Sequence, residues 1–206
     1  MTAPPIDDVL VLDTAAQDLL FRAARTANSF TDQPVTDDQI RAVHDLVKYG
    51  PTAVNGQPLR IVLVRSPQAR RRLLPHLSAT NRDKAAAAPL VLILAADTAF
   101  HEHLPRVFPH RPQARDWFAG QDLAPAREAQ ARFNAALQIG YLIIGIRAAG
   151  LAAGPMAGFD AAGVDAEFFP DGRLRSLLVV NVGHPGPDAW RDRLPRLAAD
   201  DVLHIV

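Results

Sequence analysis

Residues 51–58, with the sequence P-T-A-V-N-G-Q-P, carry the most distinctive chemistry of the chain. Thr52 and Asn55 have short hydrogen-bonding side chains, while Gly56 and the two prolines impose an unusual backbone path. A loop of this kind can present amide and hydroxyl groups to the edge of a flat, polar heterocycle. The same residues also suit an ordinary turn, so the loop by itself does not identify a binding site.

The basic residues of the chain are almost all arginines. Lys48 and Lys84 are the only lysines among 22 basic residues. Arginine favours planar, bidentate recognition of anions, although genome composition can produce the same bias. The 22 acidic residues balance the 22 basic ones, so no global field attracts nucleic acid or an anionic membrane, and we expect neither as a partner.

Several chemistries are excluded or disfavoured by what the sequence lacks. The chain has no cysteine, which rules out disulfides, iron–sulfur clusters, thiolate zinc sites and cysteine nucleophiles. It has no G-x-G-x-x-G, G-x-x-x-x-G-K-[ST] or G-x-S-x-G motif, which disfavours a Rossmann-type nicotinamide enzyme and a serine hydrolase. His101 and His103 could share a strand face as metal ligands, but no third ligand is evident. We therefore favour a solvated loop there and predict no metal.

Location is inferred from two stretches of sequence. Residues 1–13 carry Asp7, Asp8 and Asp13 and lack the basic, apolar and small-residue pattern of a secretory signal. The longest apolar stretch, residues 135–154, is interrupted by Gln138 and Arg147 and reads as a buried helix rather than a membrane span. The cytoplasm is the expected location.

Helical and strand patterns alternate along the chain. The capping-box pattern that begins at Thr36 predicts a helix start, and short apolar runs rich in branched residues predict buried strands. The predicted strands are Leu59–Val64, 90–95 and 176–182. The predicted helices are 19–25, 36–48, 66–77 and 126–149, the last with Gly150 as its C-cap.

Two segments carry information beyond their secondary structure. Residues 97–125 hold four prolines and four aromatic residues, a composition more typical of a lid or pocket wall than of a spacer. The helix at 126–149 is apolar nearly all round, so its own domain or a partner subunit must bury it. Residues 185–206 form a polar tail, and no repeat or linker divides the chain. We therefore predict a single domain over residues 1–206.

Five short motifs occur in order between Arg25 and Pro195. They are R-T-A-N-S-F at 25–30, the loop at 51–58, N-R-D-K at 81–84, G-P-M-A-G-F-D at 154–160 and R-D-R-L-P at 191–195. Together they resemble the FMN-dependent nitroreductase family, with its P-[ST]-x-x-N-x-Q-P and G-P-x-x-G-F-D signatures. The resemblance implies an α+β fold, a central, mostly antiparallel sheet flanked by helices, and an intertwined homodimer.

The resemblance also implies which residues bind FMN. Guanidinium forks and a hydroxyl suit a phosphate dianion, and a lysine suits the charge that a reduced flavin develops at its pyrimidine edge. The backbone of the 154–160 turn would press against the ring, and the 51–58 loop would reach the flavin of the neighbouring subunit. The implied cofactor-binding residues are Arg25, Thr26, Asn28, Thr52, Ala53, Asn55, Asn81, Lys84, Pro155, Met156, Ala157, Gly158, Arg191 and Arg193.

This sequence departs from the family pattern at two of the implied contacts. Many family members carry basic residues where Ala24 and Asn28 stand here. Contacts to the phosphate and to the ring at those two positions must therefore differ from the family pattern.

By the same resemblance, the cofactor carries the chemistry. NADPH or NADH would pass hydride to the flavin N5 and leave, and an acceptor would then replace it over the same ring face in a ping-pong scheme. No protein residue is assigned as catalytic. Solvent, or a group such as His110 or Arg111, could supply a proton.

A finer resemblance narrows the substrate. The pattern F-x-x-x-L-P-x-x-F-P-H at 100–110, followed by Trp117 and Phe118, is similar to the malonic semialdehyde reductase branch of pyrimidine degradation. That reaction reduces the aldehyde to 3-hydroxypropionate, and Arg106 or Arg111 could hold its carboxylate, or both could lie in solvent. Two alternatives stay open: a broad-specificity nitroarene or quinone reductase, and a non-catalytic flavin-binding or sensing protein.

Overall fold

The computed structural model describes residues 10–206. The acidic N-terminal positions Asp7 and Asp8 lie outside the described residues. The strands are β1 (Leu59–Val64), β2 (Leu90–Asp97), β3 (Ala152–Met156) and β4 (Leu174–Gly183). The α-helices are α1 (Thr14–Gln17), α2 (Asp37–Val47), α3 (Pro67–Leu73), α4 (Ala79–Ala87), α5 (Leu104–Val107), α6 (Ala124–Ala148), α7 (Ala161–Phe168) and α8 (Ala199–Val202). Short 3₁₀ turns occur at Ala53–Asn55, Leu74–His76, Phe100–His103 and Pro112–Phe118.

The four strands of the described residues form one antiparallel sheet in the order β1-β2-β4-β3. Leu59 of β1 pairs with Ala96 of β2, and Met156 of β3 pairs with Val179 of β4. The two edge strands are therefore β1 and β3, separated by two central strands. This arrangement confirms the predicted α+β fold with an antiparallel sheet.

The central strand β2 is buried on both faces, which explains its continuous apolar sequence. Leu90, Leu92 and Leu94 point to a layer formed by α2 and α6. Val91 and Ile93 point to the opposite layer, formed by α3, α4 and α7. The period-2 alternation of a strand divides the core into these two halves, and the fold has three layers.

The helix signals read from the sequence are largely confirmed. Thr36 and Gln39 form the predicted capping box at the start of α2, and Ser66 caps α3 through the backbone N–H of Ala69. Gly150 follows α6 with φ of 71°, a left-handed conformation that favours glycine. Helix α7, which is not among the predicted helices, is capped by Asp160, whose side chain accepts from the N–H of Gly163.

Several element predictions need correction. The predicted helix at 19–25 is the short α1 continued by a π-helix at Asp18–Arg22, and the predicted helix at 66–77 passes into a 3₁₀ turn at Leu74–His76. Strand β3 replaces part of the predicted turn around Pro155, and α4 was not predicted. His101 and His103 lie on a 3₁₀ helix and are half-buried, so they share neither a strand nor a solvated loop.

Helix α6, the longest helix, follows the prediction of a buried helix only in part. Ile139, Leu142 and Ile146 belong to the core against β2 and β4. Phe133 and Tyr141 on its other side are 64% and 45% exposed. One chain therefore leaves part of this apolar helix uncovered. Among residues 10–206, no helix is long and apolar enough to cross a membrane.

Candidate cofactor-binding site

A cavity of about 290 Å³ lies where the two ends of the chain meet; we call it the arginine cavity. Its walls carry four arginines and one lysine but a single carboxylate, that of Asp192. Such a set of guanidinium and ammonium groups favours a multiply charged anion. Its lining consists of Ala24, Arg25, Thr26, Asn28, Lys84, Arg191, Asp192, Arg193, Leu194 and Arg196.

A second cavity of about 220 Å³ adjoins the arginine cavity and shares part of its wall. It extends toward Pro155 of strand β3 and Arg147 of helix α6. The two cavities together bring seven predicted site residues into one region: Arg25, Thr26, Asn28, Lys84, Pro155, Arg191 and Arg193.

Residues 25–28 are held in place by backbone pairing on both sides. The N–H of Ala27 donates to the carbonyl of Ala153 on β3 at 2.9 Å, and the N–H of Asn28 donates to Ala189 at 2.9 Å. A Cβ atom at Gly154 would lie 2.7 Å from the carbonyl oxygen of Ala27. Glycine at position 154 therefore permits the close approach that sets the position of Arg25 and Thr26.

The arginines of the cavity join the two ends of the chain. Arg25 donates to the carbonyl of Arg191 at 3.2 Å, and Arg193 donates to the carbonyls of Ala24, at 3.2 Å, and Arg22. These partners are neutral backbone oxygens rather than carboxylates. The guanidinium charge on this wall is therefore not compensated by acidic partners in these bonds, which suits binding of an anion.

Lys84 and Asn28 form a hydrogen-bonded pair on the wall of the arginine cavity. The Lys84 Nζ donates to the Asn28 Oδ1 at 2.8 Å, and the Asn28 Nδ2 donates to the carbonyl of Thr26 at 3.2 Å. Helix α4 supplies the lysine from its last turn, and the segment after the π-helix supplies the asparagine. The side chains of these two predicted cofactor-binding residues are therefore adjacent in space.

The turn after β3 is tied to the start of helix α4. The carbonyl of Gly158 accepts from the N–H of Ser78 at 3.0 Å and from the Asn81 Nδ2 at 3.1 Å. Ala157 and Gly158 are exposed. Met156 is buried, with its sulfur 3.8 Å from the Asn181 Nδ2. Asn81 therefore orients the turn, and its role in binding the cofactor stays a prediction.

The 51–58 loop lies away from these cavities within one chain. It precedes β1, whereas the turn at 157–158 follows β3 on the opposite edge, and three strand spacings of roughly 4.8 Å separate the two edges by about 14 Å. The N–H of Ala53 donates to the Asn134 Oδ1 at 2.7 Å, and the Asn55 Nδ2 donates to the carbonyl of Val107 at 2.6 Å. Thr52, Ala53 and Asn55 line neither cavity.

Two arginines at the site were not predicted. Arg196 lines both cavities, and Arg147 lines the second one, where it donates to the carbonyl of Leu19 at 2.9 Å and 2.6 Å. Burial, assisted by the nearby charge of Arg193, lowers the pKa of Arg147 below its usual value. The sequence signal for Arg147 was its position as a charge inside an apolar helix.

The donor set fits the phosphate end of a flavin mononucleotide. Arginines from both ends of the chain and Thr26 line one cavity, and Lys84 and Asn28 add an ammonium group and an amide to its wall. A phosphate dianion is best met by such forks, and an amide–ammonium pair suits a polar ring edge.

The chain is similar over most of its length to known proteins. The family model described as the nitroreductase family matches residues 21–184. A protein of Streptomyces coelicolor, provisionally named NADH dehydrogenase/NAD(P)H nitroreductase, is 62% identical over 197 residues, which cover 96% of this chain and 99% of that protein.

Solved structures share the fold at low identity. A nitroreductase-type structure from Bacillus subtilis has a TM-score of 0.80 at 21% identity and covers 94% of this chain and 100% of its own. A nitroreductase-type structure from Exiguobacterium sibiricum in complex with FMN has a TM-score of 0.78 at 16% identity and covers 94% and 98%. The family model and the Streptomyces relative together establish that this chain belongs to the nitroreductase family.

Proposed function

We propose that this protein is an FMN-dependent NAD(P)H oxidoreductase that holds its flavin phosphate in the arginine cavity. The observation that carries the proposal is the convergence of Arg25, Arg191 and Arg193 from opposite ends of the chain, beside Thr26 and Lys84. The family assignment supports the enzyme class and its cofactors, FMN and NAD(P)H. FMN, when bound, supplies hydride exchange between the nicotinamide and an acceptor in alternate half-reactions.

In this proposal, residues of the chain bind the phosphate of FMN and orient its ring. Arg25, Arg191 and Arg193 hold the phosphate with Thr26, and Lys84 places positive charge at the ring edge. The small, exposed residues Ala157 and Gly158 offer their backbone to the ring, and Asn81 fixes the turn through the Gly158 carbonyl. One FMN-binding domain over residues 1–206 stays a prediction.

A homodimer completes the site in this proposal. The 51–58 loop precedes the edge strand opposite the turn at 157–158 and lines neither cavity, so we propose that a second subunit supplies it to the flavin. The exposed apolar side of α6 offers a surface on which a second copy can pack. The loop carrying Thr52, Ala53 and Asn55 would then belong to the neighbouring site.

Malonic semialdehyde is the acceptor that we favour. Arg106 on α5 and Arg111 beyond it are both exposed, and α5 contacts the 51–58 loop through the bond from Asn55 to Val107. A guanidinium on this segment would lie next to the residues proposed to meet the partner's flavin and could pair with a substrate carboxylate. The aldehyde would then be oriented with its carboxylate away from the ring.

The first test is a visible spectrum of the purified protein, followed by anaerobic addition of NADPH and then of malonic semialdehyde. Yellow absorbance that bleaches with NADPH and returns with the aldehyde is the expected result. A protein that is colourless and takes up no added FMN would overturn the proposal.

The alternatives separate in the same experiment. A larger kcat/KM for nitroarenes or quinones than for the semialdehyde would favour a broad-specificity reductase. Flavin that binds but is not reduced by NADPH or NADH would favour a flavin-binding or sensing protein.

A further inference from the structure

Helix α6 holds both ends of the loop that precedes β1. The Asn134 Oδ1 accepts from the N–H of Ala53 at 2.7 Å, and the Gln138 Oε1 accepts from the N–H of Leu59 at 2.9 Å. The two side chains are four residues apart, so they lie on the same face of the helix. We call this pair of amides the amide clamp.

The side chain of Asn134 is buried and fixed in the orientation that accepts the hydrogen bond from Ala53. It is only 4% exposed, in a helix that is otherwise mostly apolar at its buried positions. Its Nδ2 donates to the carbonyl of Gln130 at 2.9 Å, which fixes the amide with its oxygen toward Ala53. A buried amide costs free energy unless it is hydrogen-bonded, so the Ala53 contact accounts for a polar residue at this position.

The backbone between the two clamped ends is strained. Val54, Asn55 and Gln57 have φ of 50°, 53° and 45°, and they are the only non-glycine residues with positive φ among residues 10–206. A branched residue such as Val54 in this region is an outlier, and such conformations persist only where surrounding contacts hold them. A Cβ at Gly56 would lie 2.8 Å from the Phe100 ring, so the turn is also packed from the other side.

We propose that Asn134 and Gln138 are positioning residues that keep this strained turn preformed for the flavin of the neighbouring subunit. The proposal rests on the proposed function, in which Thr52 and Asn55 reach that flavin. A loop that is already ordered loses less conformational entropy when the ligand binds. The amide clamp therefore acts on cofactor affinity through the loop and not by contact.

The test compares Asn134→Leu and Gln138→Met, which each remove one clamp bond, with Gln138→Glu, which keeps the accepting oxygen. Arg132→Met is the matched control, because it removes a polar side chain from the same helix that bonds to Glu128 and not to the loop or to Asn134. FMN affinity is measured by quenching of flavin fluorescence, well below the melting temperature of each variant. Amide hydrogen exchange of residues 53–59 is measured without FMN.

Loss of one hydrogen bond predicts an FMN Kd raised by about tenfold for Asn134→Leu and Gln138→Met. Faster exchange across residues 53–59 should accompany it. The FMN Kd of Gln138→Glu and of Arg132→Met should stay within about twofold of the wild type, a difference of roughly 0.4 kcal/mol. If Asn134→Leu does not fold, Gln138→Met alone decides.

If the wild type binds FMN and the clamp variants bind it equally well, the positioning role is overturned and the proposed function is not. Unchanged hydrogen exchange in the clamp variants would have the same meaning. A lower melting temperature with an unchanged Kd would mark a purely structural contact and would also overturn it. A wild-type protein that binds no FMN would instead overturn the proposed function.

Discussion

At the scale of single residues, the cationic side chains of the candidate site donate hydrogen bonds to uncharged oxygen atoms rather than to carboxylates. Lys84 donates to Asn28, an amide that carries no charge, whereas Lys48, the other lysine, is paired with Asp45 at 2.8 Å. The charge of Lys84 is therefore available to a ligand on the wall of the arginine cavity. The two lysines form a natural pair for testing what that charge does.

Lys84→Ala should slow reduction of bound FMN by NADPH. The reduced ring gains negative charge at its pyrimidine edge, so removing a nearby cation raises the barrier. An activation free energy raised by about 1.4 kcal/mol would lower the rate of flavin reduction by roughly tenfold. Stopped-flow reduction at saturating FMN measures this, with Lys48→Ala as the control at wild-type rate. Equal rates for Lys84→Ala and the wild type would refute the role.

Gly154→Ala should weaken FMN binding without touching a charged residue. The new Cβ would meet the carbonyl oxygen of Ala27 at 2.7 Å, and backbone cannot rotate aside as a side chain can. The segment carrying Arg25 and Thr26 must shift from β3, and an FMN Kd raised by about tenfold is expected from losing one charge-assisted hydrogen bond. Ala162→Ser, at an exposed position of α7 in the layer away from α6, is the control. Wild-type affinity in Gly154→Ala would contradict the expectation.

At the scale of elements, one buried carboxylate joins three strands. Asp97 ends β2 with its side chain 1% exposed and contacts Arg60 of β1 at 2.6 Å and Arg173, just before β4, at 3.0 Å. Burial alone would raise the pKa of Asp97, but the hydrogen bond from Arg173 and the charge of Arg60 hold the pKa below its usual value. This cluster anchors the start of the 97–125 segment.

Asp97→Asn should destabilise the protein at neutral pH by about 2 kcal/mol. This figure lies below the range for a broken buried ion pair because both arginines remain about one third exposed. The carboxylate has a lowered pKa in the fold, so its contribution is complete above the unfolded-state pKa near 3.9 and fades as pH falls through the folded value. The difference from the wild type should therefore shrink below about pH 4.

Urea unfolding at several pH values between 7 and 3 measures both effects. Asp45→Asn, which changes an exposed carboxylate paired with Lys48, is the control and should leave stability nearly unchanged. A difference between Asp97→Asn and the wild type that stays constant with pH would contradict the assignment of the charge.

The elements that the sequence predicted are those whose signals are local. The capping box at Thr36 and the apolar run Leu59–Val64 each depend on a few neighbouring residues, and both occur as predicted. Strand β3 was missed because A-A-G-P-M has no branched residues and contains a proline. Pro155 is tolerated because β3 is an edge strand.

Local sequence signals predicted neither helix α4 nor the contacts between the two ends of the chain, and the reasons differ. Helix α4 is mostly alanine and charged residues with no apolar period, and Ala85 is its one residue in the buried core. The bond from Arg25 to Arg191 joins residues 166 apart, so no spacing rule predicts it. Only the resemblance to a family brought these residues together before the structure did.

At the scale of the whole molecule, the described chain leaves several large apolar side chains on neighbouring helices uncovered. Phe133, Leu137 and Tyr141 recur every four residues along α6 and are 64%, 42% and 45% exposed. Leu46 and Tyr49, at the end of α2 that packs beside α6, are 60% and 81% exposed. Monomeric proteins rarely expose such surfaces, which favours an interface between copies of this chain.

Leu137→Glu should therefore convert the proposed dimer into monomers and should remove bound FMN as well. A charge buried in an apolar interface is costly, and separation of the subunits would take each 51–58 loop away from its partner's flavin. Sedimentation velocity and the flavin-to-protein absorbance ratio measure the two effects in one sample. Ala166→Glu, on α7 in the opposite layer of the fold, is the control and should stay dimeric and yellow. A monomer that keeps full flavin would show that the loop is not needed from a second subunit, and a Leu137→Glu protein that stays dimeric would place the interface on another face.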